Sequence, residues 1–237
     1  MNTVGVILAA GSGSRTGLST PKQFLLLGGK TVLEHSVTTF NNHPGIDQVV
    51  IVTSPEFIDR VKQLVATNDW AKVTAVLPGG KERFDSSLAA VRHFNGNPEL
   101  VMLFHDAARP LVSVEIITET LKAMESYDAV DVAIPAVDTI VQCDKEGTCM
   151  ESIQDRSLLW RMQTPQGFRH KTIEKAYEIA LKDPQFTATD DCGTVLRYLP
   201  DVKVGIVRGN ERNVKLTYAD DLSLLEFLLS SQERQHT

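Results

Sequence analysis

Short β-branched apolar runs alternate along this chain with amphipathic stretches of helical length, and that alternation restricts the fold more than any other feature. Val4 to Leu8, Val49 to Thr53, Val73 to Leu77, Leu100 to Phe104, Val130 to Ile134 and Val202 to Val207 read as strands. Their hydrophobicity is continuous rather than alternating, as expected of strands covered on both faces. Between them, Thr31 to Phe40, Pro55 to Val65, Asp85 to His93, Val114 to Glu125 and Lys171 to Leu181 place apolar residues at i, i+3 and i+4, the spacing of surface helices. Alternating β and α units imply an α/β, Rossmann-like fold, with a mostly parallel, doubly wound sheet and helices on both faces.

One stretch breaks the rhythm. Thr139-Ile140-Val141 and Met150-Glu151-Ser152-Ile153 flank Asp144-Lys145-Glu146-Gly147, a β-hairpin pattern with its turn at Glu146-Gly147. A lone two-stranded hairpin is marginal in water, so this one needs support from its own domain or from a second subunit, and the pattern fits both. The expected organisation is a single domain over residues 1–237 with an arm at 137–156 inside it. The polar end, Gln232 to Thr237, is expected to fray.

The formal net charge is −6, which gives no global attraction to nucleic acid or to an anionic membrane surface. Neither is expected as a partner, and an anionic substrate must be held by a local basic cluster. Cys143, Cys149 and Cys192 form no CxxC pair and leave one thiol over in any pairing, which fits a reducing compartment, the cytosol. The apolar run from Thr3 to Ala10 lacks a basic segment before it and is too short for a signal peptide or a membrane span, so it reads as a buried first strand.

Directly after that strand comes Leu8-Ala9-Ala10-Gly11-Ser12-Gly13-Ser14-Arg15-Thr16-Gly17. Small residues at such a place let backbone N–H groups approach and cradle an anion. The glycines are spaced GxGxxxG, one residue too long for a dinucleotide fingerprint, and no Gly-Lys-Ser/Thr closes a Walker A loop. Alone, such a loop more often needs its glycines only for turns. Pro21-Lys22-Gln23-Phe24, however, brings a second cation close to Arg15, so cations and backbone donors converge as a multiply charged phosphate requires.

Asp106, in Phe104-His105-Asp106-Ala107-Ala108-Arg109-Pro110, falls at the carboxyl end of a buried strand, where open α/β sheets bind ligands. Magnesium accepts one carboxylate when phosphate oxygens and water supply the rest, so Asp106 is the candidate Mg²⁺ ligand; a helix cap or a pair with Arg109 is the plainer alternative. His105 is read as a strand residue facing away, without a catalytic role.

Leu-Ala-Ala-Gly-Ser-Gly-Ser-Arg at 8–15, Pro-Lys-Gln-Phe at 21–24, Gly79-Gly80-Lys81-Glu82-Arg83, His-Asp-Ala-Ala-Arg-Pro at 105–110, Gln163-Thr164-Pro165-Gln166 and Asn213-Val214-Lys215-Leu216-Thr217 occur in an order that resembles the 2-C-methyl-D-erythritol 4-phosphate cytidylyltransferases, relatives of the ribitol-5-phosphate cytidylyltransferases. Each motif is weakly specific, but together they span nearly the whole chain. The resemblance implies a Mg²⁺-dependent enzyme that joins CTP to a polyol phosphate, giving CDP-methylerythritol for isoprenoid precursors or, alternatively, CDP-ribitol for cell-surface polymers. It also implies that Ala9, Ala10, Gly11, Ser12 and Gly13 line the CTP site, with Arg15 and Lys22 on the triphosphate and Lys215 reaching the α-phosphate. Gly80, Arg83 and Ser86 match the segment that reads cytosine and orders the nucleotide; Asp106 matches the metal ligand and Ala107 its ribose-side neighbour. Arg109 falls on the acceptor side, Thr164 adds a hydroxyl nearby, and Thr139 and Arg156 match acceptor contacts made by the arm of the other subunit in a homodimer.

These residue types suit the chemistry. A phosphate monoester is largely dianionic at neutral pH and needs no general base, so the barrier is repulsion between two anions, which cations relieve. Selecting cytosine over uracil requires an acceptor aimed at N4, which a backbone carbonyl near Ala9 or Gly80 could supply. The other candidates, a nicotinamide-dependent oxidoreductase and an inert nucleotide-binding protein, are disfavoured by the glycine spacing and by the joint presence of Arg15, Lys22, Asp106 and Lys215. Between the two acceptors the motifs lean to methylerythritol phosphate.

Overall fold

The structure, a computed structural model, describes residues 2–11, 20–187 and 190–233. Its elements run β1 (Thr3–Ala9), β2 (Leu26–Leu27), β3 (Lys30–Thr31), α1 (Val32–Asn42), β4 (Gln48–Thr53), α2 (Ile58–Asn68), β5 (Val73–Pro78), α3 (Arg83–His93), β6 (Val101–Asp106), α4 (Val114–Ala123), β7 (Ala129–Pro135), β8 (Val141–Cys143), β9 (Met150–Ile153), β10 (Trp160–Met162), β11 (Gln166–Arg169), α5 (His170–Ala180), α6 (Asp191–Tyr198), β12 (Val204–Arg208) and α7 (Asp220–Glu233).

Strands β5, β4, β1 and β6 lie side by side and parallel. β11 then inserts antiparallel between β6 and β7, so β6 and β7 point the same way, and β12 pairs parallel on the far edge of β7. β10 runs antiparallel beside β7 on the edge that β11 also uses, and a cis Thr164–Pro165 bond lies between them. The expected mostly parallel sheet is present, with an antiparallel insertion that the strand pattern did not disclose. All strands anticipated from the apolar runs form, the last one starting at Val204 rather than Val202.

Side chains alternate across the sheet, which divides the core. Ile7, Ile51, Leu103, Val130 and Val132 face one way and meet Leu33, Val37 and Phe40 of α1, Val61 of α2 and Ile116 and Ile117 of α4. Val6, Leu8, Val50, Val52 and Met102 face the other way and meet Ala90 and Val91 of α3, Ile173, Ala176 and Tyr177 of α5 and Val195 of α6. Both faces are therefore sealed, as the unbroken apolar strands require. A third cluster joins Leu27, Val32, Ala108, Leu216 and Leu225, fastening α7 against the loops beyond β6. Local signals place the helix starts: Thr31 and Glu34 form a reciprocal capping box on α1, and Ser113 accepts from the Ile116 N–H on α4.

β8 and β9 form the anticipated hairpin, separate from the main sheet, with Gly147 at φ +70° in its turn. That φ suits glycine, which carries no Cβ to clash.

The parallel strands all end on one edge. Ala10 and Gly11 follow β1, Gly79 and Gly80 follow β5, and Asp106 closes β6. Cross-links hold these ends in register: the Ala107 N–H donates to the Leu8 carbonyl at 3.0 Å, the Gly79 N–H to the Thr53 carbonyl at 2.7 Å, and the Ser54 hydroxyl to the Ala10 carbonyl at 2.9 Å.

Gly5 inside β1 leaves room for the Phe40 ring, which a Cβ would meet at 2.5 Å. Phe40 is wedged against His105, with ring centroids 5.1 Å apart, and has little freedom to retreat. Gly5→Ala is therefore expected to lower stability by about 1–3 kcal/mol, read as a reduced urea midpoint at unchanged slope; an unaltered midpoint would show that the ring repacks freely.

Candidate functional site

A cleft opens at the carboxyl edge of the sheet, lined by Leu8 to Gly11, Lys22, Gln23, Gly80 to Arg83, Ser86, Asp106 to Ala108 and Lys215. Among the described residues five separate chain segments converge there, from the end of β1, from Lys22 and Gln23 before β2, from the turn after β5 with the start of α3, from the end of β6, and from the loop before α7. Their small residues are needed for close packing as well as for access. A Cβ on Gly79 would sit 2.6 Å from both the Ala10 Cβ and the Ser86 hydroxyl, and one on Gly80 would collide with Asp85. At Gly11, by contrast, the nearest atom to such a Cβ among the described residues is Lys22 Cε at 4.0 Å, which places that glycine beside a cation.

Asp106 forms the electrostatic centre. Its Oδ1 accepts from Arg83 Nε at 3.1 Å and its Oδ2 from Lys215 Nζ at 2.6 Å, while only 8% of the residue is exposed. Burial alone would push the carboxyl pKa up, but the charges of Arg83 and Lys215 outweigh it and hold Asp106 well below the usual carboxylate range. Arg83 also gives Nη1 to Asp191 Oδ2 at 2.5 Å. Its own burial opposes the charge, and the two carboxylates more than compensate, raising its pKa further. Lys22 Nζ lies on the same cleft, 3.4 Å from the Leu216 carbonyl.

Behind Asp106 a neutral layer fixes the backbone. The Asp106 N–H donates to Thr164 Oγ1 at 3.2 Å, and that hydroxyl also meets His105 Nδ1 at 2.9 Å. His105 Nε2 approaches the Arg109 carbonyl at 3.2 Å, and burial lowers the imidazole pKa to about 4. This neutral, fully buried ring is not among the residues that line the cleft. Arg109 donates to the Asn213 and Met162 carbonyls at 2.7 and 3.2 Å and does not pair with Asp106. Its buried Nε has no hydrogen-bond partner among the described residues.

Of the residues singled out in the sequence, Ala9, Ala10, Gly11, Lys22, Gly80, Arg83, Ser86, Asp106, Ala107 and Lys215 line this one cleft. Ser12, Gly13 and Arg15 fall outside the described residues. Thr164 lies under the cleft with its hydroxyl engaged as described, and Arg109 braces the loop around Asn213. Thr139 and Arg156 sit apart on the arm, Arg156 donating to the Val137 carbonyl at 3.0 Å. Gln23, Lys81 and Glu82 line the cleft as well and were not singled out, although each adjoins a motif residue. Asp191 was missed for a plainer reason: in the sequence Asp190-Asp191 is only a polar pair before an unremarked helix.

No group of three or more His, Cys, Asp or Glu side chains stands close enough to hold a metal among the described residues. An ion at Asp106 would therefore take most of its ligands from phosphate and water, which suits magnesium's preference for few carboxylates. Each Asp106 oxygen accepts one bond from a cation and keeps further acceptor capacity, so the donor chemistry fits such an ion. Among the described residues no helix is long and apolar enough to cross a membrane.

Comparison with known proteins converges on one family. The model for 2-C-methyl-D-erythritol 4-phosphate cytidylyltransferase matches residues 3–231. The protein of that name from Thermobifida fusca is 44% identical over 94% of this chain and 91% of its own. A bifunctional ribulose 5-phosphate reductase/CDP-ribitol pyrophosphorylase from Haemophilus influenzae is 43% identical over 97% of this chain, which spans 48% of that longer relative. Among solved structures, the 4-diphosphocytidyl-2C-methyl-D-erythritol synthase of Anaerococcus prevotii superposes with a TM-score of 0.84 at 27% identity, covering 97% of this chain and 96% of that one.

On β7, Asp131 is 5% exposed and accepts from Gln166 Nε2 at 2.9 Å. Burial raises its pKa to about 7, with Asp190 adding repulsion and Gln166 and Arg109 opposing. The folded chain thus holds this proton more tightly than the unfolded chain does. The associated stability is present below about pH 4 and lost as pH rises through 7. Asp131→Asn, which retains an acceptor for Gln166, is expected to exceed the parent stability by roughly 2–4 kcal/mol above pH 8, with the difference vanishing near pH 4. Urea titrations across that range check it; a pH-independent difference would contradict the burial of an ionisable Asp131.

Proposed function

This chain belongs to the 2-C-methyl-D-erythritol 4-phosphate cytidylyltransferase family, and from that premise we propose that it transfers the cytidylyl group of CTP to 2-C-methyl-D-erythritol 4-phosphate at the cleft around Asp106. An oxygen of the acceptor phosphate attacks the α-phosphorus of CTP; the bond from α-phosphorus to the β-phosphate oxygen breaks, and diphosphate leaves with the electron pair. The observation that carries this reading is the meeting of Lys22, Arg83, Asp106 and Lys215 on one glycine-lined cleft at the carboxyl edge of a parallel sheet.

Lys22 and Lys215 act on the phosphates, with Arg15 completing the cluster on the basis of its place in the family motif. Ala9, Ala10, Gly11, Gly80, Ser86 and Ala107, with Ser12 and Gly13, accommodate the nucleoside and the triphosphate. A divalent ion, Mg²⁺ in this reading, would be held by Asp106 and would neutralise charge on the triphosphate. Among the described residues no imidazole or thiol lines the cleft, and none is needed, because the acceptor dianion is already the nucleophile. The chemistry is one of charge compensation and alignment.

A homodimer is part of the proposal. The hairpin and its flanks expose Val137, Ile140, Val141, Met150, Ile153, Leu158, Trp160 and Met162 in a single chain. So many exposed apolar side chains on a two-stranded arm and its flanks call for a covering partner. Thr139 and Arg156 on the arm would then contact the acceptor in the neighbouring subunit's site, with Arg109 and Thr164 on that site's own side.

A second acceptor has support. The Haemophilus relative matches this chain about as well as the Thermobifida protein does, and its name specifies CDP-ribitol. The two acceptors differ by a branching methyl and one carbon of chain, a difference worth only about 1–3 kcal/mol in discrimination. Diphosphate release from CTP and Mg²⁺, run in parallel with methylerythritol phosphate and ribitol 5-phosphate, is expected to be faster with the former. The reverse order would assign ribitol phosphate, and release with neither would overturn the function.

Lys22→Ala is expected to lower kcat by about 10²–10³-fold with a smaller change in CTP affinity, since its charge matters most as negative charge builds on the α-phosphate. A loss confined to CTP binding would remove Lys22 from the chemistry. Arg156→Ala is expected to raise the acceptor KM while CTP binding stays intact; a collapse of CTP binding would contradict the trans placement of the arm.

A further inference from the structure

Asp191, wholly buried in the first turn of α6, takes no part in the proposed chemistry, yet it is joined to the cleft through one side chain. Arg83 lies between two carboxylates, 2.5 Å from Asp191 Oδ2 through Nη1 and 3.1 Å from Asp106 Oδ1 through Nε. The shorter contact is the one away from the cleft. Asp191 is itself immobilised, because its Oδ2 accepts from Ser87 Oγ of α3 at 3.1 Å and its Oδ1 accepts from the Tyr177 hydroxyl of α5. The start of α6 adds the favourable field of a helix N-terminus to that anion. Three helices therefore fix the point from which Arg83 reaches Asp106.

The other cation on Asp106 is held differently. Lys215 belongs to a loop segment outside any helix or strand, and its side chain is 34% exposed against 26% for Arg83. A lysine on a flexible stem surrenders one hydrogen bond more readily than a forked guanidinium tied at two points. The two oxygens of Asp106 are thus unequal in the lability of their partners.

We propose that Asp191 is a positioning residue that ties Arg83 to one oxygen of Asp106, so that the other oxygen, which Lys215 occupies, is the one that exchanges Lys215 for the divalent ion. This rests on Asp106 as the ion's ligand. Asp191 shares the charge of Arg83; without it the guanidinium falls wholly to Asp106 and competes with the arriving ion. Removing Asp191 also makes the cleft more positive by one charge, which favours the nucleotide. The two ligands therefore respond in opposite directions, whereas a general loosening of the site weakens both.

The test is Mn²⁺ binding followed by the EPR signal of the free ion, with CTP and no acceptor so that turnover does not occur, alongside CTP binding without metal. In Asp191→Asn the Mn²⁺ dissociation constant is expected to rise about tenfold or more, while metal-free CTP affinity holds or increases. In an Arg83→Gln background the same substitution is expected to add nothing. Parallel weakening of both ligands, or an undiminished effect in the Arg83→Gln background, would overturn the proposal. Should Asp191→Asn fail to fold, Tyr177→Phe decides: loosening Asp191 with its charge intact is expected to weaken Mn²⁺ about two- to threefold without weakening CTP, and unchanged Mn²⁺ affinity would count against it. Asp106→Asn separates the premises. Mn²⁺ binding that survives it removes the ion from Asp106, whereas its loss there with normal binding in Asp191→Asn refutes the role of Asp191 alone.

Discussion

A carboxylate kept ionised almost entirely out of water is the interaction on which the site depends. Removing an anion from water costs several kcal/mol even after relaxation, and a lone Asp106 would respond by taking up a proton. Arg83 and Lys215 prevent that, at 3.1 and 2.6 Å, by meeting one oxygen each. The arrangement stores charge of both signs at the edge of the sheet before any ligand arrives, so little reorganisation is left for the moment of reaction.

The fold exists to bring those groups together. Asp106 ends the central strand β6, Arg83 opens α3 after the edge strand β5, and Lys215 arrives from the loop before α7, more than a hundred residues from both in sequence. The α7 cluster of Leu27, Val32, Ala108, Leu216 and Leu225 anchors the loop next to Lys215, and the Leu216 N–H bonds the Ala108 carbonyl at 2.8 Å. Packing of α7 on the loops beyond β6 and the hydrogen bond that the Asp106 N–H donates to Thr164 thus serve the same end. Gly79 and Gly80 contribute by letting the β5 turn lie against Ala10, Ser86 and Asp85.

Much of this was legible before the structure. Continuous apolar strands such as Val49 to Thr53 and helices with a clear stripe announce themselves, because burial on both sheet faces leaves a strong pattern. β10 and β11 did not, being three and four residues long and split by Thr164–Pro165. α6 begins Asp191-Cys192-Gly193, with a glycine that sequence patterns associate with turns, and α7 spreads its apolar residues around the helix because it packs on loops and on β2. Among the described candidate site residues, Ala9 to Gly11, Lys22, Gly80, Arg83, Ser86, Asp106, Ala107 and Lys215, all inside or next to compact motifs, meet at one cleft. Arg83 was anticipated at the nucleotide, but its guanidinium bridges Asp106 and Asp191, a contact across 108 residues to a carboxylate that no local motif marks. In the proposed dimer the role of Arg156 is likewise a property of the assembly rather than of a motif.

The most direct measurement of the central claim is a crystal structure of the chain with CTP and Mg²⁺. The ion is expected on the Asp106 carboxylate, with Lys215 moved from that carboxylate to the α-phosphate and Lys22 on the same phosphate group. A nucleotide bound away from Asp106, or Lys215 still paired with Asp106 and no ion beside it, would contradict the account.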